Sequence, residues 1–150
     1  MRFLTAMDYQ TMLKINTELV NEVVDLTVNV YKLNQNATKT NSYGEAPKKT
    51  WFQGVTIPCL YKRDDTRATE DVSSINVEQS SEFYFLRQEC ELRGIYPEVG
   101  DIIEFDNNYY EINNTNETQL IAGRVEYKHS IICSTQLTRN SGLQLEQPQV

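Results

Sequence analysis

His129 is the chain's one histidine, and Cys59, Cys90 and Cys133 are its three cysteines, far apart and without a CxxC pair. The common zinc sites need thiolate and imidazole ligands at close spacing, so these residues do not write one. A general base needs a group to orient it and a nucleophile beside it, and no motif marks either near His129. We read a structural histidine and three reduced, mostly buried thiols. Asp64-Asp65 and Glu70-Asp71 crowd carboxylates into one segment, but without the calcium-loop spacing and its central glycine, so a solvated charged loop is expected. Glu104 and Glu111 can face each other across a strand pair, where two exposed acids are a better reading than glycosidase chemistry. Gly100-Asp101 has neither the glycine-rich run nor the lysine of a phosphate cradle. The sequons at Asn36, Asn113 and Asn116 matter only in a secretory pathway. No catalytic, metal or cofactor site is expected.

The bulk numbers point the same way. At 150 residues and 39% hydrophobic content the chain can bury a core as one domain, spanning 1–150, without staples. A net charge of −7 and a pI near 4.7 disfavour long-range capture of a nucleic-acid backbone, which takes clustered Lys and Arg, and favour protein partners. Nine tyrosines among 10% aromatics suit strands and contact surfaces better than a helix bundle. Residues 1–8 lack the apolar run of a signal peptide and no stretch approaches a membrane span, so a reducing cytoplasm is expected.

Positioning falls to one helix and a set of short strands. Met12, Ile15, Leu19 and Val23, with Val20 and Val24, recur at three- and four-residue steps, predicting an amphipathic helix over about 8–25 capped by Asp8, with Thr5 or Thr11 as competitors. Its stripe either seals one end of the sheet core or packs on a neighbouring subunit. A β domain is expected over about 26–135. Alternation predicts strands at 26–31, 55–61, 74–78, 82–86, 120–127 and 131–135, with Pro58 at an edge or bulge and a short helical turn before Gly94. Residues 34–45 and 62–72 read as long polar loops, 113–118 as a polar turn, and 136–150 as an extended tail, disordered alone or laid on a neighbour. The plainest stretch is 97–112. Pro97 and Gly100 open it, Ile102-Ile103-Glu104-Phe105 is a strand, Asp106-Asn107-Asn108 tolerates a left-handed turn, and Tyr109-Tyr110-Glu111-Ile112 returns. The expected class is mainly β: a small antiparallel barrel or sandwich with one N-terminal helix, long loops and an extended tail.

The residues Pro97-Glu98-Val99-Gly100-Asp101-Ile102-Ile103-Glu104-Phe105, then Tyr110-Glu111-Ile112, then Ile121-Ala122-Gly123-Arg124-Val125-Glu126-Tyr127 resemble the core of tailed-phage head-to-tail connectors, the T4-like neck (head completion) family. Asn41-Ser42-Tyr43-Gly44-Glu45, Val55-Thr56-Ile57-Pro58-Cys59-Leu60-Tyr61 and Phe83-Tyr84-Phe85-Leu86 extend the likeness over residues 40–128 in matching order. The chain is much shorter than the T4-type protein and ends in a brief tail, which leaves open its rung in the neck: adaptor, stopper or tail completion. The resemblance implies a structural virion protein made in the bacterial host cytoplasm. It would form a ring of six or twelve copies between a portal or adaptor protein and a tail terminator or completion protein. Genomic DNA would slide through the lumen without sequence-specific contact, and no membrane is involved. In that frame Gly100, Asp101, Phe105, Tyr110 and Ile112 are the rigid hairpin. Tyr43, Lys48, Lys49, Trp51, Phe52, Arg63, Asp64, Asp65 and Arg67 are the candidate partner contacts, being aromatic anchors and charges on or beside the long loops. Two alternatives stand beside it. A small-barrel module for single-stranded nucleic acid or a protein ligand would use Lys48, Lys49, Trp51 and Phe52. A small virion hydrolase would need His129.

Overall fold

The computed structural model describes residues 4–34, 42–43, 49–63, 67–71, 74–117, 119–138 and 144–145, of which 67–71, 74–78 and 144–145 are described by backbone pairing. The strands are β1 (Thr27–Tyr31), β2 (Thr50–Trp51), β3 (Val55–Pro58), β4 (Leu60–Arg63), β5 (Arg67–Asp71), β6 (Ser74–Glu78), β7 (Ser80–Leu86), β8 (Ile102–Phe105), β9 (Asn108–Asn116), β10 (Ser130–Thr138) and β11 (Gln144–Leu145). Seven of them form one antiparallel sheet in the order β3-β1-β8-β9-β10-β7-β4. The fold is mainly β, and the ladder is open rather than closed into a barrel. Its two outermost strands are nonetheless consecutive in the chain, with Cys59 alone between them. The sheet therefore curls until one bent segment serves both edges. Pro58 sits at such an edge, where its missing N–H costs no ladder bond.

Alternation along the strands builds the core. Val28 and Val30, Phe83 and Phe85, Tyr110 and Ile112, Ile131 and Cys133 turn to one side with Ile57, Cys59 and Ile103. Phe83 meets Tyr110 and Phe105 edge-on, at centroid distances of 5.5 and 6.0 Å. Because successive strand residues point oppositely, Ile102 leaves the side that Ile103 fills and packs under Tyr31 and Trp51.

Helix α1 (Ala6–Glu18) continues into a π-helical turn, Leu19–Val24. Its cap is Thr5 rather than Asp8. The Thr5 hydroxyl accepts the Asp8 N–H while the Asp8 carboxylate accepts the Thr5 N–H, a reciprocal box that places Asp8 inside the first turn. Asp25, left-handed at φ 48°, ends the element. Helix α2 (Arg87–Arg93) stops at Gly94, also left-handed, as expected from the sequence.

Four expectations are corrected. Residues 113–116 are not a turn: β9 runs on to Asn116, because pairing with β10 satisfies backbone groups whatever the side chains, with a register shift opposite Ser134/Thr135. Residues 120–127 are not a strand: Ala122 and Gly123 both take positive φ, giving a 3-10 turn (Ile121–Gly123) held by a bridge between Leu120 and Lys128. The segment expected as a charged loop over 62–72 contains the end of β4 and all of β5, which pairs with β6 as a two-stranded hairpin. The tail is partly in the sheet, since β10 reaches Thr138, and Gln144–Leu145 pairs in parallel with β2 of the same chain.

Candidate partner-binding surfaces

The hairpin stretch is a clasp. Gly100 adopts φ +95° and donates its N–H to Ile112 O, and its own carbonyl accepts the indole N–H of Trp51 at 3.1 Å. Asp101, fully buried, accepts the N–H groups of Leu33 and Glu98 and the ammonium of Lys32. Burial works against the Lys32 charge, but the Asp101 and Glu98 carboxylates outweigh it and hold its pKa above the ordinary value. Phe105, Tyr110 and Ile112 lie in or against the main core. The turn at Asp106 and Asn107 has positive φ at both residues, the backbone a two-residue hairpin requires.

The candidate contact residues that are described differ in how far they reach solvent. Trp51 is 3% exposed, spent inside the chain's own second cluster, so it is not offered to a partner; this corrects its reading as an anchor. Its neighbour Phe52 is about half exposed and Tyr43 is almost wholly so. Lys49 is half-covered and bound to Glu111 at 2.8 Å. Arg63 is exposed at the end of β4. Arg67 begins β5, and Lys48, Asp64 and Asp65 lie outside the described residues.

A surface that sequence reasoning left undecided is the N-terminal helix. Its inner side holds the body through Tyr9 stacked on Tyr127 at 4.2 Å, through buried Val20, and through Asn21, which donates to the buried carboxylate of Glu89 at 3.2 Å. Arg93 also bonds that carboxylate. The outer side is the apolar one: Met12, Ile15, Leu19 and Val23 are 45%, 56%, 46% and 76% exposed. The stripe does not seal the sheet core. A second surface feature is a groove of about 330 Å³ lined by Val20, Leu60, Tyr84 and Leu86, with Lys62 at its rim and His129 in its wall.

The groups with chemical potential are quiet. Burial pushes the thiols of Cys59 and Cys90 up to about 12 and that of Cys133 higher still, which leaves them as thiols rather than nucleophilic thiolates at neutral pH. Burial lowers the pKa of His129, whose Nδ1 is covered and without a hydrogen-bond partner. Among the described residues no three His, Cys, Asp or Glu side chains converge as a metal site, and no helix is long and apolar enough to cross a membrane.

No protein-family model and no curated protein matches the chain in sequence. Among solved structures, a chain of the "Virion of native gene transfer agent (GTA) particle" shares its architecture, with a TM-score of 0.53 at 8% identity. The likeness is one of fold. It takes in 75% of this chain and 94% of that one, so nearly the whole of the virion subunit has a counterpart here.

Proposed function

We propose that this chain is a structural subunit of a tailed-phage-like virion, one copy of a ring in the neck between portal and tail that closes the filled head and docks the tail. The observation that carries this reading is the match of fold to almost an entire virion subunit. The sequence resemblance to neck proteins over residues 40–128 is what favours the connector among virion roles. Its partners are then further copies of itself, six or twelve to a ring, a portal or adaptor protein on the head side, and a tail terminator or completion protein on the tail side. DNA passes through without sequence-specific contact, and the net charge of −7 favours such a lumen because like charges keep the duplex off the wall. The role is architectural rather than enzymatic. Trp51 being buried and Lys49 being paired with Glu111 removes two of the residues a single-stranded nucleic-acid face would use.

The test is particle assembly with and without the gene. Peptides of this chain are expected in purified particles, at the neck when a tag is imaged by electron microscopy. Its loss is expected to leave DNA-leaking heads apart from finished tails. Complete, infectious or transducing particles formed without the chain would overturn the reading.

A further inference from the structure

We propose that α1 is a hinged arm: it leaves the body as one unit while the sheet stays folded, pivoting on the π-helical turn Leu19–Val24 and latched by the stack of Tyr9 on Tyr127. No residue of α1 is buried, although the helix is 13 residues long. The row nearest the body, Tyr9, Leu13, Asn16 and Thr17, is only half-buried. Two open clefts of about 520 and 560 Å³ border that row, and both reach Tyr9, Leu13 and Gln88. The helix spans the body rather than packing down on it.

The helix and the turn behind it are held differently. Among the described residues, α1 makes one ring stack with the body, Tyr9 on Tyr127 at 4.2 Å with the planes 13° apart. It makes one side-chain hydrogen bond there, from the Thr17 hydroxyl to Gln88 Oε1 at 3.5 Å, long for such a bond. The turn that follows is fixed in place. Val20 is buried, Asn21 donates to the buried Glu89, and the Asp25 N–H closes back on Val20 O. Regular α-helical bonding gives way to the wider π turn at the boundary between the two, at Leu19. Such turns recur where a helix bends or works.

Tyr127 belongs to the body and not to the arm. Its carbonyl accepts the Ile121 N–H, its N–H donates to Arg124 O, and the Leu120–Lys128 bridge closes the loop. The same loop holds Ala122 left-handed at φ 54°, a state that persists only where the surroundings enforce it. A fixed platform thus carries one ring of the latch, and the arm carries the other. A ring stack is worth only about 2- to 10-fold in an equilibrium, so the arm opens far more readily than the seven-stranded sheet unfolds. A helix this short is marginal once freed of the body, so each opening frays it. Opening uncovers Tyr9, Leu13 and Tyr127, whether or not the chain is a virion subunit.

The test is native-state hydrogen exchange on the full-length chain, read amide by amide. The amides of residues 10–18 are expected to exchange together, faster than Asp25, Ile103 and Ile112, through an opening that urea barely accelerates because it exposes little surface. Tyr127→Ala is expected to speed that exchange roughly 10-fold, while Tyr127→Phe, which keeps the ring, should match the parent. Tyr9→Ala should act as Tyr127→Ala does, although alanine favours the helix itself, and the double variant should add nothing to either. Ile112→Val, which loosens the sheet, should speed exchange at Ile103 and leave residues 10–18 unmoved. Exchange over 10–18 that shares the urea dependence of Ile103 and follows Ile112→Val would overturn the arm, because the helix would then open only with the sheet. Amides there that ignore Tyr127→Ala, or that lack protection in the parent, would overturn the latch.

Discussion

The ammonium of Lys32 lies 2.7 Å from the carboxylate of Asp101, which is 2% exposed and also accepts two backbone N–H groups, from Leu33 and Glu98. One buried charge thus ties the end of β1 to the turn before β8. Removing one partner of a buried pair leaves the other uncompensated, so Asp101→Ala is expected to cost about 3–5 kcal/mol of stability in urea or guanidinium denaturation. Glu98→Gln, which touches the exposed side of the same ammonium, should cost less than about 1 kcal/mol. Equal losses for the two would contradict the clasp.

Gly100 is the second half of that turn. Its φ of +95° is costly for any residue with a side chain, and an added Cβ would stand 3.3 Å from the Cδ2 of Leu33. Gly100→Val is expected to lose about 1–3 kcal/mol or more, from backbone strain together with the displaced leucine. Gly94→Ala shares a positive φ but has open space around its Cβ, so it should lose about 1 kcal/mol. Thermal melts of the pair separate strain from crowding.

Trp51 and Phe52 are neighbours with opposite fates. Trp51→Ala empties the cluster under Ile102 and strands the Gly100 carbonyl, so a loss of about 3–5 kcal/mol is expected, visible in the isolated chain. Phe52→Ala should change stability by less than about 0.5 kcal/mol and act instead on partner binding, measured by attachment to the particle. Stability unaffected by Trp51→Ala would contradict the packing described.

His129 predicts a pH response. Burial lowers its pKa in the folded chain, so the unfolded chain binds the proton first, near its ordinary value of about 6.5. The stability linked to this group is complete above that value and declines as pH falls toward the folded pKa. His129→Gln should flatten the slope between pH 7 and 5 relative to the parent, in denaturant titrations at each pH. An unchanged difference across that range would count against a covered imidazole.

Where local chemistry decides the backbone, the sequence was legible. The Asp106-Asn107 turn, the Gly94 stop after α2 and the alternation of β1 all follow from residues adjacent in the chain. Distant partners were not legible. A tryptophan beside a polar loop looks the same as an anchor or as core, and the choice is made by the Gly100 carbonyl, 49 residues away. Periodicity over 8–25 gave a stripe without saying which way it faces. That depends on Tyr127 and Glu89, which hold the opposite side of the helix. Apolar residues at 120–127 suggested a strand, but positive φ at Ala122 and Gly123 breaks the run.

The bent segment over 55–63 has a bearing on the order in which the molecule assembles itself. Its first half pairs with β1 and its second with β7, strands separated by β8, β9 and β10. Each half meets its neighbour across far more chain than the β8–β9 hairpin spans, Cys59 to Leu26 and Leu60 to Tyr84 against Phe105 to Asn108, and β1 reaches β8 across a longer stretch still, as the Tyr31–Glu104 bond at 73 residues' separation shows. Pairings so remote are slow to form. The segment therefore arrives late in folding, and pulsed hydrogen exchange should find the amides of Ile57, Cys59 and Leu60 protected after those of Ile103 and Ile112. Earlier protection at Cys59 would mean that the curl precedes the sheet.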